Sequence, residues 1–200
     1  MEFRRRFHKE GDKGGAMRRR IVWFTVFLIA LGMYNICLSQ DSDWQQKGNI
    51  YTSNKYGCAI EKPEGWTIKI LEGKLSNPLN VFMVQMFSPD FDAHILFVAQ
   101  KNINNLNAEE AIKVDITQIK ANKQIEFNLI TGGATIVDGY SSAHQIVDEI
   151  RYGDTTYTQR RIYVSTKDYI YAIIFNAIGE GSYSKYKNTF QEILESVRLP

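Results

Sequence analysis

Two apolar runs constrain this chain more than any other feature: residues 81–87 (VFMVQMF) and 95–99 (ILFVA). A strand with one wet face alternates apolar and polar side chains, and these runs barely alternate. They suit strands covered on both faces, so the sheet that holds them needs a layer on each side.

The stretches around the runs also read as strands and turns. Residues 57–61 form a short strand, and Lys62-Pro63-Glu64-Gly65 is a turn in which Pro presets one φ and Gly relieves the next. Residues 66–71 alternate, with Trp66, Ile68 and Ile70 on one face. Residues 72–80 read as a loop. Further strands are expected at 125–131, ending at Gly132-Gly133, and at 134–137, ending at the hairpin signal Asp138-Gly139. Strands at 140–152, 156–165 and 169–178 complete an antiparallel meander.

Two helices interrupt this pattern. Asn107 is placed to cap the first, with Glu110 three residues on as the second half of a capping box. Ala108, Ile112, Ile116 and Ile119 recur at helical spacing, and Lys120 and Lys123 favour the C-terminal end. The second spans about 182–197, with Tyr183, Tyr186, Phe190, Ile193 and Val197 as its apolar stripe. The fold class that follows is α+β: an antiparallel sheet flanked by helices in an α/β/α sandwich.

The N-terminal part is different in kind. Residues 21–38 (IVWFTVFLIALGMYNICL) carry no charge and follow Arg18-Arg19-Arg20. A basic segment before a short apolar one is the pattern of a secretory signal. Its 18 residues also reach the lower edge of a membrane span, so a retained anchor over 21–38 is the alternative. Ser39, with Cys37 two residues before it, fits a small-x-small cleavage site. Met17 opens a leader of ordinary length alone, so residues 1–16 read as an untranslated extension or a long basic lead-in. Residues 41–48 (DSDWQQKG) read as a polar tether, and 49–200 as one domain.

Charge follows the same division. Residues 1–40 hold 8 of the 24 Lys and Arg and 3 of the 22 Asp and Glu. The remaining 16 basic and 19 acidic residues leave residues 41–200 mildly acidic, which argues against nucleic acid as a partner. Cys37 and Cys58 are the two cysteines, so loss of the leader leaves a single thiol, without a disulfide or CxxC site. Cys58 reads as a buried small hydrophobe.

Residues 57–66 (GCAIEKPEGW) resemble the opening G-F-x-I-x-x-P-x-G-W hairpin of the PsbP-like superfamily, which includes PsbP and DcrB-like exported proteins. The strand at Tyr169-Ile170-Tyr171-Ala172-Ile173-Ile174 is similar to the one near that family's C-terminal end. So is the helix with Tyr183, Tyr186, Phe190 and Ile193-Leu194-Glu195-Ser196. The likeness runs over about residues 50–198, with Cys58 where Phe is usual. It implies an α/β/α sandwich that acts as a binding or assembly module, usually without catalysis.

The chemistry legible in the sequence is sparse. No G-x-S-x-G, H-E-x-x-H or phosphate-binding G-x-x-x-x-G-K-[ST] occurs. Asp90, Asp92 and His94 would share one face of an extended strand, and two carboxylates with an imidazole suit a divalent metal; the alternative is a solvated hairpin tip. Arg160 and Arg161 are candidates for an anion site; with Glu149 and Arg151 they lie on facing strands of a hairpin, and the alternative is cross-strand ion pairing within that group. Tyr51, Tyr56, Tyr152 and Tyr157 are candidate surface contacts. The expectation is an exported, non-catalytic binding or assembly module of the cell envelope, periplasmic or secreted. Its expected partner is another envelope protein, it needs no cofactor, and it meets the membrane only through an uncleaved leader. The alternatives are an extracytoplasmic metal-assisted enzyme and a membrane-anchored structural subunit of an envelope complex.

Overall fold

The two apolar runs lie side by side in a seven-stranded antiparallel sheet. The computed structural model describes residues 43–72, 75 and 79–200, so the leader, the extension before it and residues 41–42 of the tether lie outside the described residues. Strand order in the large sheet is β4 (Thr67–Glu72), β5 (Asn80–Phe87), β6 (Ala93–Lys101), β10 (Tyr169–Ile178), β9 (Thr155–Ser165), β8 (Tyr140–Tyr152) and β7 (Ile125–Val137). A smaller antiparallel sheet holds β1 (Trp44–Lys47), β2 (Ile50–Ser53) and β3 (Cys58–Glu61). Part of the expected tether is therefore a strand. Trp44 explains it: the indole is buried, edge-on to Phe82 with centroids 5.1 Å apart, and draws β1 onto the core.

Helix α1 (Ala108–Ala121) covers one face of the large sheet. Ala108, Ala111 and Ile112 pack with Leu96, Val98, Tyr163 and Ile174. Its start is locked as the sequence predicts: Asn107 Oδ1 accepts from Glu110 N–H and Glu110 Oε2 accepts from Asn107 N–H, both at 2.9 Å. The helix ends at Ala121, so Lys123 lies beyond it. The opposite face is covered by α2 (Ser182–Ser196) and the small sheet together. Phe190 of α2 stacks on Phe175 of β10 with centroids 4.7 Å apart. The α/β/α expectation is met, and the second outer layer is part helix and part sheet.

Gly132-Gly133 is not a turn. Strand β7 runs through both residues and pairs with β8 from Ile125↔Tyr152 to Val137↔Tyr140. A Cβ on Gly132 would stand 3.0 Å from Ile146 Cγ2 and 3.2 Å from Gln145 O. That glycine permits close strand approach rather than a change of direction. The hairpin turns at Asp138-Gly139, where both residues have left-handed φ, 48° and 82°.

The chain beyond α2 closes on the small sheet. Arg198 bridges Ala59 of β3 through two backbone bonds, 3.0 and 2.9 Å. Leu199 N–H donates to Asp138 Oδ2 at 2.7 Å, and the Tyr140 hydroxyl donates to Pro200 O. Among the described residues no helix is long and apolar enough to cross a membrane.

Candidate functional site

Asp90, Asp92 and His94 do not share an extended face. Asp90 and Phe91 turn the chain, Phe91 with φ 62°, and β6 begins only at Ala93. Asp90 Oδ1 accepts from Ser88 Oγ at 2.7 Å and from Asp92 N–H at 3.1 Å. Its Oδ2 accepts from Tyr186 OH at 2.7 Å and from Lys185 Nζ. The Lys185 ammonium and these donors hold the Asp90 carboxyl well below the usual range. The acids thus tie the β5–β6 turn to α2. His94 points elsewhere: its ring stacks on Phe87 at 5.8 Å, and Nε2 lies 3.0 Å from Asn176 Nδ2. Burial pushes the imidazole down to about 4, so it is neutral at pH 7. Among the described residues no group of three or more His, Cys, Asp and Glu is arranged around a common metal position.

Arg160 and Arg161 are likewise separated, because neighbours on a strand face opposite sides. Arg160 Nε and Nη2 both donate to Gln145 Oε1, at 3.1 and 2.9 Å. Its guanidinium lies over the Phe190 ring on the α2 side, 5.3 Å from the centroid. Arg161 is wholly buried on the α1 side. Register also removes the expected cross-strand ion pairs: Arg160 faces Val147, Arg161 faces Ile146, Glu149 faces Thr158 and Arg151 faces Thr156.

What surrounds Arg161 is a buried polar network. Its Nη1 donates to Asp115 Oδ2 of α1 at 2.5 Å, and Nε is 3.0 Å from Asp148 Oδ2 of β8. Tyr163 OH donates to the same Asp115 oxygen at 2.6 Å. Arg161 Nη2 donates to Gln159 Oε1, and Gln159 Nε2 donates to Asn176 Oδ1. The register makes the rest a row: His94, Asn176, Gln159 and Asp148 face one another in turn across β6, β10, β9 and β8. Two carboxylates share one guanidinium. Burial, opposed by Arg161, pushes the Asp148 carboxyl up to about 6. Burial and the Asp115 charge raise the Tyr163 phenol well above its ordinary value.

A groove beside α1 reaches this network. It encloses about 250 Å³. Leu79, Leu106, Ala111, Val114 and Ile170 line its walls, and Asp115 and Tyr163 also line it. Asn102 shapes the rim. Its Nδ2 donates to Leu106 O and Thr166 O, both at 3.0 Å, and its Oδ1 accepts from Leu106 N–H at 2.8 Å. Those bonds fasten the β6–α1 loop to the β9–β10 turn, leaving Ile103 59% exposed at the groove's edge.

No family model matches the sequence, and no curated protein matches it. Solved structures do resemble it. Cyanobacterial PsbP (CyanoP) from Synechocystis sp. PCC 6803 is similar over 82% of this chain and 97% of its own, with TM-score 0.58 and 14% identity. The chain has the PsbP-like fold. LpqN, described as involved in cell envelope biogenesis of Mycobacterium tuberculosis, has TM-score 0.47 at 14% identity, over 72% of this chain and 83% of its own. PA94 from Pseudomonas aeruginosa has TM-score 0.47 at 10% identity, over 71% of this chain and 90% of its own.

At such identities the PsbP-like likeness concerns the backbone alone, so the groove and network stand on this chain's own residues. Asp115, Asp148 and Tyr163 were not candidates from the sequence. One signal could have found Asp115: an acid on the apolar stripe of α1, three residues after Ile112, must meet a buried partner. Of the tyrosines expected at the surface, Tyr51 is buried and Tyr56 donates to Glu72 Oε1 at 2.9 Å. Tyr157 is half-buried, and Tyr152 is exposed. Cys58 is buried, as its small apolar neighbours imply, and burial pushes its thiol up to about 12.

Proposed function

We propose that this PsbP-like chain is an exported, non-catalytic binding module of the cell envelope that holds an apolar side chain of another envelope protein in the groove beside α1. The observation that carries the proposal is the make-up of that groove: apolar walls beside the inward acid and phenol, Asp115 and Tyr163, which are already bonded to each other. Asp115 and Tyr163 share a bond, and Arg161 is committed to the two acids. Such a site gains from desolvating an apolar group. Its volume of about 250 Å³ is below the roughly 300–1,000 Å³ of small-molecule pockets, which suits one or two inserted side chains. Export rests on the leader over residues 17–40. Membrane contact comes only through residues 21–38 if they are retained, and the reading calls for no cofactor.

The test is capture from an envelope fraction with the tagged full-length chain, compared with an Ile103→Asp/Val114→Asp variant. Ile103 and Val114 are 59% and 40% exposed, so the fold tolerates the change. Wild type is expected to retain an envelope protein that the variant loses. Equal retention by both, or none by wild type, overturns the proposal.

A further inference from the structure

Among the described residues one edge of the large sheet is strand β7, and its sequence reads nearly the same from either end. Residues 130–136 are Ile-Thr-Gly-Gly-Ala-Thr-Ile, centred on Gly133. Reflected about Gly133, Ile130 meets Ile136, Thr131 meets Thr135, and Gly132 meets Ala134; one step out, Leu129 meets Val137. An antiparallel pair of identical strands related by a two-fold axis makes these same pairings.

Three further observations bear on the edge. Leu129, Ile130 and Ile136 are 49%, 51% and 67% exposed, which makes this an unusually apolar free strand. Residues 127–137 contain no charge and no proline, the two commonest devices that keep an edge unpaired. The register irregularities of β7 fall between Leu129 and Thr131 and between Thr135 and Val137. The first is an extra residue in β7, at Ile130, and the second an extra residue in β8, between Tyr140 and Ala143. The run between them, Thr131 to Thr135, pairs regularly with β8 and leaves a regular outer edge.

We infer that β7 is a self-association edge on which a second copy of this chain docks antiparallel, with Gly133 on the two-fold axis, joining two seven-stranded sheets into one. The pairing sets Ile130 against Ile136 of the mate, and Thr131 against Thr135, so each cross-strand pair is apolar with apolar or hydroxyl with hydroxyl. Nothing lies within 4 Å of a Cβ placed on Gly133, so the axis position is open.

The experiment is oxidative cross-linking of the full-length chain in cells on a Cys37→Ser background, where the remaining Cys58 is buried. Gly133→Cys puts one thiol on the axis and is expected to give a disulfide-linked dimer. Thr131→Cys puts two thiols about 14 Å apart along paired strands and is expected to give about tenfold less. Adding Ile130→Lys/Ile136→Lys to Gly133→Cys opposes like charges and should abolish the dimer. Ile130→Lys/Ile136→Glu changes the same positions but opposes unlike charges, and should restore it. That pair of variants separates pairing from folding. No Gly133→Cys dimer, a dimer indifferent to the lysines, equal linking by Thr131→Cys, or linkage only to a different protein would each overturn the inference.

Discussion

Arg161 and Asp115 are 46 residues apart in the chain and 2.5 Å apart in the fold, where a guanidinium on β9 fastens α1 to the sheet. Tyr163, two residues along β9, bonds the same carboxylate oxygen. The helix is therefore oriented by polar contacts as well as by its apolar stripe.

Removing Arg161 should cost far more than removing its neighbour. Arg161→Met leaves Asp115 and Asp148 buried without their cation, a loss of about 3–5 kcal/mol. Arg160→Met gives up a half-buried contact with Gln145 and Phe190 and should cost about 1 kcal/mol or less. Replacing Asp115 and Asp148 by Leu together with Arg161→Met should recover most of the larger loss, because no charge is then stranded. Urea unfolding of the four proteins checks the order.

Two groups in the polar row of the large sheet, buried Asp148 and half-buried His94, should oppose each other as pH changes. Asp148 titrates near 6 folded and near about 3.9 unfolded, so the folded chain binds more protons between these values and stability falls as pH rises. Full ionisation there costs roughly 2–3 kcal/mol. His94 titrates near 4 folded and near about 6.5 unfolded, so the unfolded chain binds more protons and stability rises with pH over nearly the same window. The wild-type urea midpoint should therefore be flat between about pH 4 and 6.5. Asp148→Asn should leave a rising profile and His94→Gln a falling one.

The two central glycines of β7 should respond oppositely to a methyl group. Gly133→Ala meets open space and restricts the unfolded chain, a gain of about 0.5–1 kcal/mol. Gly132→Ala presses on Ile146 and on the Gln145 carbonyl, and should lose about 1 kcal/mol or more. Thermal unfolding of both variants tests this.

Cys58 should be inert in the native state. Its thiol is buried, titrates near 12, and donates to Tyr56 O at 3.2 Å. On a Cys37→Ser background a maleimide should label it only as the chain unfolds, with the labelling curve tracking the urea transition. Rapid labelling of the folded protein would contradict the buried position.

Local chemistry made most of the fold legible. Asn107 and Glu110 announce the start of α1, Asp138-Gly139 announces a hairpin, and the uninterrupted runs at 81–87 and 95–99 announce three layers. What was illegible depends on register and on distant contact. Nothing near Trp44 shows that Phe82 awaits it. Gly132-Gly133 looks like a turn until Ile146 is seen to need the space. Alternation along β9 already separates Arg160 from Arg161. The acids that claim Arg161 come from α1 and β8, and only the register names them.

The bridge between Ala59 and Arg198 also sets an order of events. Glu61 N–H reaches Ser196 Oγ across 135 residues of sequence, and the neighbouring backbone bonds span a similar distance. On a ribosome, β3 is made early and waits without that neighbour until synthesis has passed residue 198. Contacts of such separation form late and slowly. A nascent chain of this kind cannot close its small sheet against this neighbour until residue 198 has been made.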